Sequence, residues 1–135
     1  MKTTTVRKFV TALALSASAL VAASASADVL RDYNLVVLGN LDSQSEVEGR
    51  ALVRGNLSGS ASNYGIMLTP AAQFLNTDVL IVGGNLNAQN INMNAGNLRL
   101  GGSNNAQNVN FNGGGTLMND PAASAIGLSL IHISE

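Results

Sequence analysis

The fold is decided by a unit that is written twice, GGNLNAQNINMNAG at residues 83–96 and GGSNNAQNVNFNGG at residues 101–114. At an offset of eighteen residues, the two copies share a Gly pair, the run Asn-Ala-Gln-Asn, two further Asn and a Gly. Each copy contains a strictly alternating run, NINMN and then NVNFN, and alternation with a period of two is typical of a half-buried strand. A strand and a Gly-rich corner at fixed spacing predict the stacked coils of a β-solenoid.

The alternation also predicts which side chains face the core. We expect Ile91, Met93, Val109 and Phe111 to point inward. The outward positions then belong to Asn90, Asn92, Asn94, Asn108, Asn110 and Asn112. Stacked strands lie about 4.8 Å apart, so equivalent Asn side chains can hydrogen-bond along a ladder.

A second signal is the tripeptide Gly-Asn-Leu, which begins at Gly39, Gly55, Gly84 and Gly96. Gly and Asn tolerate the backbone conformations of tight corners, and we expect the Leu that follows to point back into the stack. The first two spacings are irregular, which predicts an insertion over 58–77. Within it, Pro70 favours a short helix near 70–75.

The remaining segments complete an all-β prediction. Apolar runs predict buried strands at 35–38 and 78–82, and residues 47–57 predict one strand of mixed polarity. Leu98, Leu100 and Leu117 supply the next inward face. The predicted fold is therefore a single-stranded, β-helix-like β-solenoid with a lateral loop and short-helix insert.

The first 27 residues predict a secretory signal peptide. Lys2, Arg7 and Lys8 precede an Ala/Leu/Val-rich run, and Ala25-Ser26-Ala27 is a small-x-small cleavage site, so the mature chain is expected to begin at Asp28. A membrane anchor is the alternative, but the apolar run is short for a span. We expect a secreted or cell-surface location, with no membrane span after removal of the signal.

Composition narrows the classes of function. The formal net charge of −1 becomes −4 when the three cations of the signal peptide are removed. An acidic chain with four scattered Arg argues against nucleic acid as a partner. The chain has no Cys, no Trp and only 4% aromatic residues, which suits a thin regular fold better than the thick core of an enzyme.

The last eight residues, LSLIHISE at 128–135, fit neither repeat. They resemble, residue for residue, the translation of a transposon-type sequencing adapter. A terminal strand of apolar alternation is the other interpretation. We expect the domain to occupy 28–119, to be incomplete, and to be followed by a linker at 120–127.

The N-terminal half resembles the choice-of-anchor A family of bacterial surface proteins. The matching stretches are YNLVVLGNL at 33–41 and SEVEGRALVRGNL at 45–57, and the motif that carries most weight is Glu48-Gly49-Arg50. Arg54 departs from the family pattern, which has a Gly there. The resemblance covers residues 28–119 and implies an exported domain followed by a surface-sorting signal. Some members are described as collagen-binding or adhesin-like.

Catalytic candidates are few. Glu46 and Glu48 are the only close carboxylates, and on one strand they would share a face with Arg50. A Glu48–Arg50 ion pair is the simpler expectation. We expect no catalytic residue, no metal ligand and no cofactor. Calcium is the one cofactor left open, because the Gly-rich runs resemble those of calcium-binding β-roll repeats. Those repeats, however, place Asp where this chain has neutral Asn, a weaker calcium ligand.

The outward Asn face is the most distinctive predicted surface. It could bind a carbohydrate, another protein strand or ice, or its ladders could simply close the stack. We expect a non-enzymatic domain for adhesion to an extracellular matrix protein or polysaccharide. A self-associating stalk or layer is the alternative, and a carbohydrate-active enzyme is less favoured.

Overall fold

A computed structural model describes residues 30–126, so the predicted signal peptide and the adapter-like tail lie outside the described residues. Regular structure between these bounds consists of short strands, one 3₁₀ helix at Ala71–Phe74, and helical residues at 30–32 and 123–126. The strands are β1 (Leu35–Val37), β2 (Leu41–Asp42), β3 (Glu46–Val47), β4 (Ala51–Val53), β5 (Leu57–Ser58), β6 (Ala61–Tyr64), β7 (Asp78–Val82), β8 (Asn90–Met93), β9 (Asn97–Leu100), β10 (Asn108–Phe111) and β11 (Leu117–Asn119).

Successive strands visit three parallel sheets in turn. Sheet A has the order β1-β4-β7-β9-β11, sheet B pairs β2 with β5, and sheet C has the order β10-β8-β6-β3. Sheet B continues as single bridges from Leu57 to Leu86 and from Leu86 to Asn104. Each coil thus contributes one rung to each of three faces, and the predicted β-solenoid is confirmed.

Strand register gives the length of each coil. In sheet A, Leu35 pairs with Ala51, Ala51 with Leu80, Leu80 with Leu98, and Leu98 with Leu117. The coils therefore advance by 16, 29, 18 and 19 residues. The eighteen-residue unit is one coil, and the long coil holds the predicted insertion with its 3₁₀ helix.

The insertion begins later than predicted. Residues 61–64 are not part of a loop but form β6, which pairs with both β3 and β8. An inward Ser62 concealed this strand, because it places a polar residue where alternation calls for an apolar one. The Ser62 hydroxyl is satisfied by the backbone oxygen of Ser43 at 3.0 Å, so its burial leaves no unpaired group.

Two further sequence predictions are wrong in their boundaries. Residues 47–57 are not one strand, because β3, β4 and β5 divide them among three sheets with corners between. Gly96 is also not equivalent to the other Gly-Asn-Leu positions. It precedes a strand of sheet A with a φ of +64°, whereas Gly39, Gly55 and Gly84 follow strands of that sheet.

The core is a column of apolar side chains between the three sheets. Ile91, Met93, Leu98 and Leu100 are fully buried, as are Leu57 and Leu86 on sheet B. One coil later, Val109, Phe111 and Leu117 pack against the same core but are only partly buried. The predicted inward directions are confirmed.

A smaller apolar cluster covers the outer face of sheet A. Leu52, Ile81 and Ala123 are buried there, and Tyr33, Val36 and Ile126 pack around them. The described part of the predicted linker, 120–126, therefore lies against the sheet. Arg99 fixes it by bridging Asp78 and Asp120 at 2.6 Å each.

Candidate functional site

The outer face of sheet C carries a continuous column of polar side chains. Asn110 donates its amide N–H to Asn92 Oδ1 at 2.9 Å, and Asn92 donates to Asn63 Oδ1 at 3.0 Å. Asn63 donates in turn to Glu46 Oε1 at 3.3 Å. The four residues come from four successive strands, so the column runs the whole width of the sheet.

Two shorter ladders flank this column. Asn108 donates to Asn90 Oδ1 at 2.9 Å on sheet C. Beside sheet B, Asn105 donates to Asn87 Oδ1 at the same distance. Asn87 and Asn105 are also eighteen residues apart, so the repeat offset indicates this pair in the same way as it indicates the predicted pairs. Asn63 could not be found that way, because the 29-residue coil separates it from Asn92.

Two of the six predicted Asn do not form a ladder with each other. The amide of Asn94 donates to the backbone oxygen of Tyr64 at 3.4 Å. Asn112 is exposed and lies after the end of β10, where the chain turns. The regular face therefore consists of Asn63, Asn90, Asn92, Asn108 and Asn110, which we call the amide face.

The amide face is uncharged over most of its area. Between residues 55 and 119 the chain has only two charged side chains, Asp78 and Arg99, and both lie on strands of sheet A. Each ladder bond uses one N–H and one lone pair of an amide that offers two of each. Every Asn in the ladder therefore keeps donor and acceptor capacity for a ligand. The groups repeat at about 4.8 Å across strands and about 6.6 Å along them.

The motif Glu48-Gly49-Arg50 has a structural role in the first coil. A Cβ on Gly49 would overlap the Asn34 side chain, whose oxygen accepts the Arg50 backbone N–H at 3.2 Å. The Arg50 guanidinium lies 4.4 Å from the centre of the Tyr33 ring and donates to the backbone oxygen of Asp78 at 2.9 Å. These contacts join the segment before β1 to sheet A.

Electrostatics around Arg50 differ from the prediction. The predicted Glu48–Arg50 ion pair is wrong, because β3 ends at Val47 and Arg50 instead lies 3.8 Å from Asp32. Burial raises the pKa of the Tyr33 hydroxyl, and the positive charge of Arg50 opposes that rise. The charge of Arg50 therefore serves these contacts near the start of the fold.

Glu46 and Glu48 do not act as a strand-borne carboxylate pair. Glu46 lies on β3 and accepts from Asn63, whereas Glu48 lies in the turn beyond the strand. Among residues 30–126 there is no group of three or more His, Cys, Asp or Glu placed to hold a metal ion. In the same range, no helix is long and apolar enough to cross a membrane.

One comparison with known proteins identifies a family. The model of pAdhesive_15, described as "Putative Ice-binding-like adhesive domain", matches residues 26–132. That description names an adhesive domain and not an enzyme. This match does not confirm the resemblance to the choice-of-anchor A family. Comparisons with curated proteins and with solved structures returned no match.

Proposed function

The chain belongs to this adhesive-domain family, and from that premise we propose that it is a non-catalytic domain that adheres through its amide face. The proposed ligand class is a neutral extracellular polysaccharide. The single observation that carries the proposal is the ladder that joins Asn63, Asn92 and Asn110 into one flat, uncharged column.

The chemistry of the face favours a hydroxyl-rich ligand. Hydroxyl groups both donate and accept, as the free capacity of each amide does. Glu46 is the only charged residue on the strands of sheet C, so the face has little charge with which to select a charged partner. Individual contacts of this kind are weak, but a repeating ligand on a repeating face adds many of them, and avidity then exceeds any single contact.

The ladder also makes the face rigid before binding. Each Asn between two others is held on both sides, as Asn92 is by Asn63 and Asn110. Side chains that are already ordered lose less entropy when a ligand binds. A surface of five partly or fully exposed amides that are held by hydrogen bonds is therefore better suited to recognition than five independent side chains.

An exported location accompanies this function. The segment Met1–Ala27 has the pattern of a signal peptide, and a polysaccharide ligand would be met outside the cell. A matrix protein is the competing ligand, and a self-associating layer is the competing role.

A sedimentation assay tests the proposal. The full chain is mixed with insoluble cellulose or chitin and, in parallel, with collagen-coated beads, and the bound fraction is measured. We expect retention on a polysaccharide and a reduction of about fivefold or more in the variant N108A/N110A. The control N76A/N105A removes two exposed Asn that lie off sheet C and should bind like the wild type.

Three results would count against the proposal. Unaltered binding by N108A/N110A would exclude the amide face. Retention on collagen alone would replace the polysaccharide by a matrix protein. Binding to nothing, together with concentration-dependent growth in sedimentation velocity, would favour the self-associating layer.

A further inference from the structure

In the part of the chain that the structure describes, the first coil leaves one end of the solenoid uncovered. Within residues 30–126, β2 and β3 are the terminal strands of sheets B and C, and no strand pairs with their outer edges. Leu41 and Ser43 direct their N–H groups to the second coil, at 2.9 Å each from the oxygens of Asn56 and Ser58. Because peptide groups alternate along a strand, those of the intervening Asp42 face away from the stack.

The edge of β3 has the same arrangement. The backbone oxygens of Ser45 and Val47 accept from the second coil at 3.1 and 2.9 Å. The peptide groups of Glu46 between them therefore face outward along the sheet. Both edges offer unpaired backbone groups at a residue that also carries a carboxylate.

A cavity of about 500 Å³ lies between these edges. Its apolar lining comes from Leu35, Leu41 and Val47, and Asp42, Glu46 and Glu48 supply carboxylates. Ser43 also lines it. Within residues 30–126, the end of the stack therefore combines apolar surface with carboxylates and with unpaired backbone groups.

Within the described part of the chain, no cation pairs with these carboxylates. The ion pairs within 30–126 join Arg50 to Asp32 and Arg99 to Asp78 and Asp120, and none involves Asp42, Glu46 or Glu48. Among the residues that the structure describes, the side chains of Asp42 and Glu46 accept only from the neutral side chains of Ser58 and Asn63. A partner with positive charge would therefore find these groups available.

The direction of the ladders argues against a second copy as the occupant. In each bond the later residue donates and the earlier one accepts, so the column ending at Asn110 leaves its amide oxygen facing the next rung. A copy stacked end to end would place that oxygen against the carboxylate of Glu46. Two acceptors without a proton between them repel each other.

We propose that this end of the solenoid binds an extended protein segment that carries Lys or Arg, which adds a strand to the edge of β2 or β3. The backbone of the segment pairs with Asp42 or Glu46. Its outward cations lie over the carboxylates, and its inward residues cover Leu41 or Val47. Strand addition at an exposed edge is a common mode of peptide recognition, and this site meets the amide face only where Glu46 accepts from Asn63.

A peptide-binding measurement on the full chain tests the proposal. The probe is a fluorescent peptide of alternating Lys and Val, compared with one of alternating Glu and Val, and anisotropy reports binding. We expect the Lys peptide to bind, to weaken as salt is raised, and to lose about tenfold or more in affinity in D42N/E46Q. The Glu peptide should not bind.

A charge-matched control separates a local site from net charge. The variant D42N/E46Q/Q73E/N76D restores both charges on the distant insertion, and it should bind as weakly as D42N/E46Q. Wild-type affinity in either variant overturns the proposal. The proposal also fails if the Lys peptide does not bind the wild type. Self-association of D42N/E46Q would then indicate that the carboxylates only protect the edge from stacking.

Discussion

The side-chain oxygen of Asn56 accepts the backbone N–H of Asn85 at 2.8 Å, and so ties the corner of one coil to the corner of the next. The same bond joins Asn40 to Asn56 and Asn85 to Ser103, each at 2.8 Å. These Asn follow Gly at the corners after β1, β4 and β7, whereas Ser103 takes that place after β9. The Gly-Asn pair of the sequence is therefore a coupling between coils as well as a turn.

Removing one of these couplings should cost stability. We expect Asn56→Ala to lower the free energy of unfolding by about 1 kcal/mol, because the N–H of Asn85 loses its partner. Urea denaturation measures the change. Asn56→Asp keeps an acceptor in the same place and should stay near the wild type. Equal losses in both variants would show that the bond does not matter.

Successive coils approach each other closely at Gly59, so we predict that a side chain added there is strongly destabilising. Its φ is +125°, and a Cβ there would overlap the backbone oxygen of Ser43. We expect Gly59→Ala to destabilise by about 2 kcal/mol or more. Gly39→Ala is the control, since no atom lies within 4 Å of its added Cβ. Thermal melts of the two variants should differ clearly, and similar melting temperatures would contradict the described packing.

The loss of stability on truncating a core side chain should depend on how deeply that side chain lies in the stack. Leu98 and Leu117 are register partners on sheet A, but Leu98 is fully buried and Leu117 is only partly buried. We expect Leu98→Ala to cost about 3 kcal/mol and Leu117→Ala less than half as much. Urea midpoints in the reverse order would mean that β11 packs more tightly than described.

The contact between Arg99 and Asp120 predicts a pH dependence. Hydrogen bonding to Arg99, with help from the Ala122 N–H, holds the pKa of Asp120 below its usual value. The stabilisation is therefore complete above the ordinary pKa of Asp, and it is lost as the pH falls through the lowered value. Asp120→Asn can keep the contact with Ala122 but removes the charge.

Chemical denaturation from pH 7 downward checks this dependence. The wild type should be more stable than Asp120→Asn near neutral pH, and the gap should close in acid. A gap that stays constant with pH would show that the charge of Asp120 contributes nothing.

The predicted export makes a separate claim about the first 27 residues. If the full chain is expressed in a secreting bacterial host, N-terminal sequencing of the exported protein should begin at Asp28. Retention of Met1 on a membrane-bound product would instead support the alternative of an uncleaved anchor.

The sequence was informative where the coils are regular. The eighteen-residue offset predicts the register of Asn90 with Asn108 and of Ile91 with Val109, and both pairings are present. Elsewhere the strands are too short to show a period. β3 and β5 have two residues each, so residues 47–57 looked continuous although they turn two corners.

Other features depend on contacts that no local pattern encodes. Ser62 faces inward because the Ser43 oxygen is there to accept its hydroxyl. Arg50 turns to Tyr33 and not to Glu48 because the segment before β1 packs beside it. Asn63 joins the amide face only because a 29-residue coil returns the chain to sheet C.

The most direct test of the amide face is a titration followed by NMR. A soluble oligosaccharide from whichever polysaccharide retains the chain is added to the ¹⁵N-labelled protein, and the side-chain NH₂ signals are followed. We predict that Asn90, Asn92, Asn108 and Asn110 shift together while Asn76 does not. Shifts confined to the insertion at 65–77, or signals of the amide face that stay unchanged at saturation, would contradict the account.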